Sequence, residues 1–205
     1  INVPSVELEF KEQNGKNIAY MTISQFGDNT NSEFRNAVAK ILISDAGSLI
    51  LDLRFNGGGY LEASVDILSE FFEEKERAVI VKKRNEGDEI IYTYGNGQLT
   101  SIPMVVLINE GSASASEIVA GAMQDYKRAV VMGVKSYGKG SVQELSQLND
   151  GSSLRMTIAK WYTPNDRTID QTGISPDITI EMETSDANTD NDSQLKAALD
   201  YLAGL

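Results

Sequence analysis

Apolar and acidic residues alternate through Val6, Glu7, Leu8, Glu9 and Phe10, the period-two pattern of a strand with one face covered. Asn14-Gly15 then supplies a two-residue hairpin turn, and Ile18 to Ser24 reads as the returning strand. The period then lengthens. Phe34, Val38, Ile41 and Leu42 fall on one face of a helix that Asn31 or Ser32 can cap. A short apolar run, Leu49-Ile50-Leu51-Asp52-Leu53, leads through Arg54-Phe55-Asn56 into Gly57-Gly58-Gly59. A helix is predicted from about Tyr60 to Phe72, with Leu61, Val65, Leu68 and Phe72 spaced for burial. The same succession returns later. Val105 to Ile108 is a buried-strand pattern, Asn109-Glu110-Gly111 a turn, and Ser114 to about Tyr126 a helix of small residues. Ala129 to Met132 is a further buried strand ending at Gly133, Ser152 to Tyr162 a strand, and Ile178-Thr179-Ile180 a last short one. Strands alternating with helices predict an α/β core around a largely parallel sheet. Thr184 to Asp192 is polar and acidic and is expected to be a flexible linker. Asp192 can cap a closing helix carrying Leu195, Leu199 and Leu202 on one face. The predicted organisation is a core domain over 1–183 and an acidic linker with a C-terminal helix over 184–205.

Composition narrows the chemistry. A chain of 205 residues suits one domain with a small annex. It has no apolar run approaching the roughly 18 residues a bilayer span needs. A net charge of −12 argues against a nucleic-acid partner and is read as solubility. Cysteine is absent, so disulfides, thiolate metal sites and cysteine nucleophiles are excluded. Histidine is absent too. A Ser-His-Asp triad and imidazole-ligated zinc are therefore impossible, and acid–base work falls to Lys, Asp, Glu or Tyr. Neither a metal nor a cofactor is expected.

Three segments stand out. Gly111 to Glu117, with Ser112, Ser114 and Ser116, lies between a buried strand and a helix, where ligand sites of α/β sheets form and a helix N-terminus can face a developing anion. Tyr137-Gly138-Lys139-Gly140 holds a lysine between glycines. Without histidine, lysine is the natural base for a serine nucleophile. Asp52 to Gly59 ends in glycines that can offer bare N–H groups to a ligand oxygen. Taken singly, each also fits an ordinary helix cap, hairpin or strand-to-helix turn; together they are far more informative. Other motifs fail on detail. Gly133 with Gly138-Lys139 lacks the Ser or Thr that a P-loop needs directly after its lysine. Ser136-Tyr137-Gly138-Lys139 spells S-x-x-K, but its glycines oppose a helix and its companion motifs are missing. Asp186, Asn188 and Asp190 begin a calcium-loop pattern, which Asn191 and Ala197 break.

The segments Leu51 to Gly59, Ser112 to Asp125, Gly138-Lys139-Gly140 with Gln143, Ile158 to Pro164 and Thr172 to Asp177 make the chain closely resemble the C-terminal processing peptidases, or tail-specific proteases, of bacterial envelopes and chloroplasts. The resemblance covers nearly the whole chain. It implies a crotonase-like (ClpP/crotonase-type) α/β spiral core with additional β-strands. It implies a serine-type endopeptidase that cleaves proteins near unstructured C-terminal tails. On the matching positions, Ser114 is the nucleophile, Lys139 the general base and Gln143 the residue that orients that lysine. The backbone N–H groups of Ala115 and Gly59 form the oxyanion hole, with Gly58 an alternative to Gly59. Expected partners are proteins or peptides with flexible tails, and the expected location is extracytoplasmic, in a periplasm or cell envelope. Gly57 stands where many relatives have Pro, and Phe55 where Asn is common; the first loosens the oxyanion turn. The PDZ domain usual in the family is expected to be absent from this chain, with Ile1 to Val6 reading as the junction after it. The rival reading is a peptide-tail binding module that does not cut. Retention of Ser114, Lys139 and Gln143 speaks against it. Nothing in the sequence fixes an oligomeric state.

Overall fold

The computed structural model describes residues 3–84, 86–148 and 151–205. Ile1 and Asn2 of the expected junction lie outside the described residues. The chain opens with the hairpin of β1 (Val6–Gln13) and β2 (Lys16–Ile23), paired antiparallel. Asn14 and Gly15 both have positive φ, 53° and 75°, the turn geometry that matches the twist of the flanking strands. Helix α1 (Thr30–Leu42) buries Phe34, Ala37, Val38 and Ile41. Then follow β3 (Ser48–Asp52), α2 (Leu61–Ser69), β4 (Arg77–Lys83), β5 (Glu89–Tyr92), β6 (Met104–Ile108), α3 (Ala115–Asp125), β7 (Val130–Gly133), β8 (Ser141–Gln147), β9 (Ser153–Tyr162), β10 (Ile178–Thr179) and α4 (Ser193–Ala203).

The main sheet has the order β1-β2-β3-β6-β7-β10, and every pairing after the first hairpin is parallel. All positions of β3 and β6 are buried, which is why both read as unbroken apolar runs. One face, with Leu49, Leu51, Val106 and Ile108, packs under α1, α2 and α3. The opposite face, with Ile50, Val105 and Leu107, packs against Ala198 and Leu202 of α4. The C-terminal helix therefore seals the second face of the sheet. The preceding stretch is fastened as well: Thr184–Asp186 forms a single tight 3₁₀ turn, and Asp192 is buried beside Arg54. The expected flexible linker is docked where it meets the helix.

Helix α2 is shorter than its periodicity predicts. Phe71 and Phe72 leave the helix yet stay buried, so their spacing reports burial rather than helix. The second sheet, β5-β4-β9-β8, is antiparallel. Its strands β4, β5 and β8 were not predicted. Its hairpin β8–β9 is largely solvated, with Leu154, Met156 and Ile158 exposed, and a strand without one covered face shows no clean alternation. No helix is long and apolar enough to cross a membrane among the described residues.

Candidate active site

The parallel neighbours β3 and β6 end side by side, and their following turns are tied together at the carboxyl edge of the sheet. Asn109 Oδ1 accepts hydrogen bonds from the backbone N–H of Phe55 (2.8 Å) and of Gly111 (3.0 Å). Ser112 Oγ donates to Leu53 O at 2.8 Å and accepts from Asn109 N at 3.0 Å. Ser116 Oγ donates to Asn56 O at 2.9 Å. Two of the three serines are thus structural and fully buried. Ser114 differs. It caps α3 with φ 56° and ψ −114°, a conformation that costs an L-residue on the order of 1–3 kcal/mol and tends to be kept at functional sites. It is partly exposed while Ala113, Ala115, Ser116 and Glu117 around it are buried.

The glycine turn packs directly on this elbow. A Cβ on Gly58 (φ 98°) would lie 2.7 Å from Ala113 O, 2.8 Å from Ser114 Cβ and 3.0 Å from Ala115 N. A Cβ on Gly59 (φ 146°) would lie 2.0 Å from Phe26 O. Phe26 clamps the turn by donating its N–H to Gly58 O (3.0 Å) and accepting from Tyr60 N (2.7 Å). Asn56 holds it from within, donating Nδ2 to Ile23 O at 2.8 Å and accepting Gly58 N at 2.9 Å. The Gly58 N–H is therefore occupied. No acceptor meets the N–H of Gly59 or of Ala115, the first residue of α3, among the described residues.

Lys139 sits in a loop built against the same elbow. Tyr137 N donates to Ser112 O at 3.0 Å, and Gly138 O accepts from Gln171 N at 2.8 Å. The flanking glycines are required by close approach: a Cβ on Gly140 would lie 2.1 Å from Asp170 N, and one on Gly138 (φ 90°) 3.1 Å from Gly173 N. The join is Glu117, fully buried. Its Oε1 accepts from Ser136 Oγ and from Gly138 N, both at 2.6 Å. Its Oε2 accepts from Ser114 N at 2.8 Å and Lys139 N at 2.9 Å. A buried carboxylate is costly unless its lone pairs are filled, and here four donors fill them. Ser136 Oγ in turn accepts from Ile174 N at 2.7 Å, so the Thr172–Asp177 stretch supports the lysine loop.

Among the sequence-predicted residues, the backbones of Ser114 and Lys139 meet on one carboxylate oxygen. Gly58 touches the Ser114 elbow, and Gly59 extends the same turn. The Lys139 side chain is exposed, and no hydrogen bond joins it to Ser114 Oγ or to Gln143 among the described residues. Gln143 is exposed on β8, beside a bulge at Val142/Gln143. Glu117 itself was not singled out from sequence. Its signal was available: Ser114 and Glu117 have the S-x-x-E spacing of a capping box.

Fold and turn together define an α/β protein that presents a strained serine between a parallel strand and the helix that follows it. Its particular kinship follows from comparison. The profile of peptidase family S41 matches residues 17–180. A carboxyl-terminal-processing protease of Synechocystis sp. is 38% identical over 93% of this chain and 45% of its own length. Carboxyl-terminal-processing peptidase 3, chloroplastic, of Arabidopsis thaliana is 41% identical over 78% of this chain and 31% of its own. The solved structure of a photosystem II D1 C-terminal processing protease superposes with a TM-score of 0.82 at 28% identity, covering 99% of this chain and 53% of that one. The chain belongs to peptidase family S41. It spans about half the length, or less, of these relatives.

Proposed function

We propose that this chain is the catalytic core of a serine endopeptidase that cleaves proteins near unstructured C-terminal tails, with Ser114 as nucleophile and Lys139 as general base. The observation that carries the reading is the shared Glu117 oxygen, 2.8 Å from Ser114 N and 2.9 Å from Lys139 N. With both backbones held there, a lysine side chain is long enough to extend toward the Ser114 hydroxyl, which supports pairing the two. A lysine acts as base only in its neutral form. Its amine takes the hydroxyl proton as Ser114 Oγ attacks the scissile carbonyl, then returns that proton to the leaving amine. Water, activated in the same way, releases the acyl group. The unoccupied N–H groups of Gly59 and Ala115 are the donors for the tetrahedral oxyanion, each worth about 3 kcal/mol of barrier. Gly59 is preferred to Gly58 because Asn56 already holds the Gly58 N–H. Gln143 is assigned the orientation of Lys139 once substrate is bound; catalytic hydrogen bonds are often long or unformed in free enzymes. The architecture is read as a crotonase-like spiral core. The preference for tails and an envelope location rest on the family resemblance.

The test is intact mass spectrometry of a protein bearing an apolar C-terminal tail, incubated with the wild type, Ser114→Ala and Lys139→Ala. Truncation by the wild type and a loss of about 10³-fold or more in either variant are expected. Wild-type-like turnover in either variant refutes the dyad. A wild type that binds the tail, yields no product and takes no fluorophosphonate adduct at Ser114 is the binding module instead.

A further inference from the structure

Arg54 lies just past the end of β3, at the start of the glycine turn, and its guanidinium is almost wholly buried between two carboxylates. Toward its own strand, Nε lies 3.0 Å from each oxygen of Asp52, and Nη2 lies 2.7 Å from Oδ2. On the other side it forks onto Asp192, Nη1 to Oδ1 and Nη2 to Oδ2, both at 2.9 Å. Gln194 Oε1 takes a further bond from Nη1 at 3.2 Å. Side-chain exposure is 1% for Arg54 and 2% for both aspartates. Asp192 is held in turn by the N–H groups of Leu195 (2.8 Å) and Asn188 (2.9 Å). It therefore caps α4 and grips Arg54 with the same carboxylate. A two-point fork fixes the plane of a guanidinium as well as its position.

The turn from Arg54 to Gly59 hangs between anchors. Asp192 holds its start through Arg54, Asn109 holds Phe55, and Phe26 holds its end at Gly58 and Tyr60. Phe55 between them has φ 59°, so the backbone reverses immediately after the gripped residue. A change in the plane of Arg54 would be felt first at that reversal, in the same turn that ends at Gly59.

We infer that Asp192 is a positioning residue for hydrolysis, acting through Arg54 to set where the Gly59 N–H points; this rests on the reading of Gly59 as an oxyanion donor. Charge balance makes the inference testable. Without the Asp192 charge, Arg54 is still neutralised by Asp52, so the variant keeps a balanced buried pair and is expected to fold. What it loses is the second fork.

The experiment compares the wild type with Asp192→Asn, and with Asp190→Asn as a control for the same change of charge in the same segment. Melting temperature, kcat, KM and the backbone amide resonances of Gly58 and Gly59 are measured. Asp192→Asn is expected to lower kcat about tenfold or more, against KM within about twofold, and to shift the Gly59 amide. Asp190→Asn should do neither. A folded Asp192→Asn with unchanged kcat and unmoved amides overturns the inference. So does a loss of turnover that follows melting temperature while the amides stay in place. If Asp192→Asn does not fold, Gln194→Ala weakens the same guanidinium and is judged on the same readouts. A wild type without turnover defeats the peptidase reading instead, and the amide comparison still decides whether Asp192 sets the turn.

Discussion

The three consecutive glycines share one motif but meet different surroundings. Gly57 has nothing within 4 Å of a built Cβ and no positive φ. Gly58 and Gly59 are held by Ser114 and Phe26 at distances no Cβ tolerates. Gly57→Ala should stabilise the protein by about 0.4–1 kcal/mol by restricting the unfolded chain, read from denaturant melts at unchanged turnover. Gly58→Ala places its methyl against Ser114 Cβ and Ala115 N at positive φ. It should cost about 1–3 kcal/mol of stability and most of the activity, with kcat falling more than KM rises. Retention of full kcat by folded Gly58→Ala would show that the turn does not have to touch Ser114. A turn rich in glycine was legible from the residues alone. Which glycine serves which contact was not, because Phe26 and Ser114 reach the turn from segments remote in sequence.

At the scale of elements, the site is one helix cap shared by two loops. Glu117 lies on the first turn of α3 and would ordinarily serve only its own helix start. In the fold it also gathers Ser136, Gly138 and Lys139. Glu117→Gln keeps the shape but turns an NH₂ toward two donors. Each donor so orphaned costs about 1–3 kcal/mol. A clear drop in melting temperature is expected, together with a loss of turnover as the lysine loop slips from the elbow. A variant that melts as the wild type does, with unchanged kcat, would leave Glu117 a bystander. The strand-to-helix position of Ser114 follows from hydrophobic periodicity. The second sheet does not. Its β8–β9 hairpin stands largely in solvent, and Gln143 lies on that hairpin.

Across the whole molecule, α4 and the stretch before it tie the far face of the sheet to the edge that carries the glycine turn. Burial alone pushes the Asp192 carboxyl upward. Arg54 and the N–H groups of Leu195 and Asn188 more than offset that and hold it below the ordinary range. Burial, aided by the neighbouring Asp52 charge, pushes the Tyr20 phenol well above its usual value, so Tyr20 stays neutral beside the pair. A carboxyl depressed in the folded state adds stability above its unfolded pKa, about 3.9, and loses it as pH falls through the folded value. Melting curves of the wild type and Asp192→Asn should therefore differ most at neutral pH and converge as pH drops below about 4. A gap that stays constant from pH 7 to pH 3 would mean that the Asp192 charge does not anchor the tail.

The sequence by itself determined the alternation of strands and helices, the absence of histidine and cysteine chemistry, and the three segments that make up the candidate site. These are local periodicities and residue identities, and they need no partner to be read. The tertiary structure alone decided that one buried carboxylate joins the serine and lysine segments, that Gly59 rather than Gly58 keeps a free N–H, and that an acidic stretch is locked onto Arg54. Each depends on groups far apart along the chain finding hydrogen-bond partners inside a low-dielectric core, where a polar group left alone is too costly to keep.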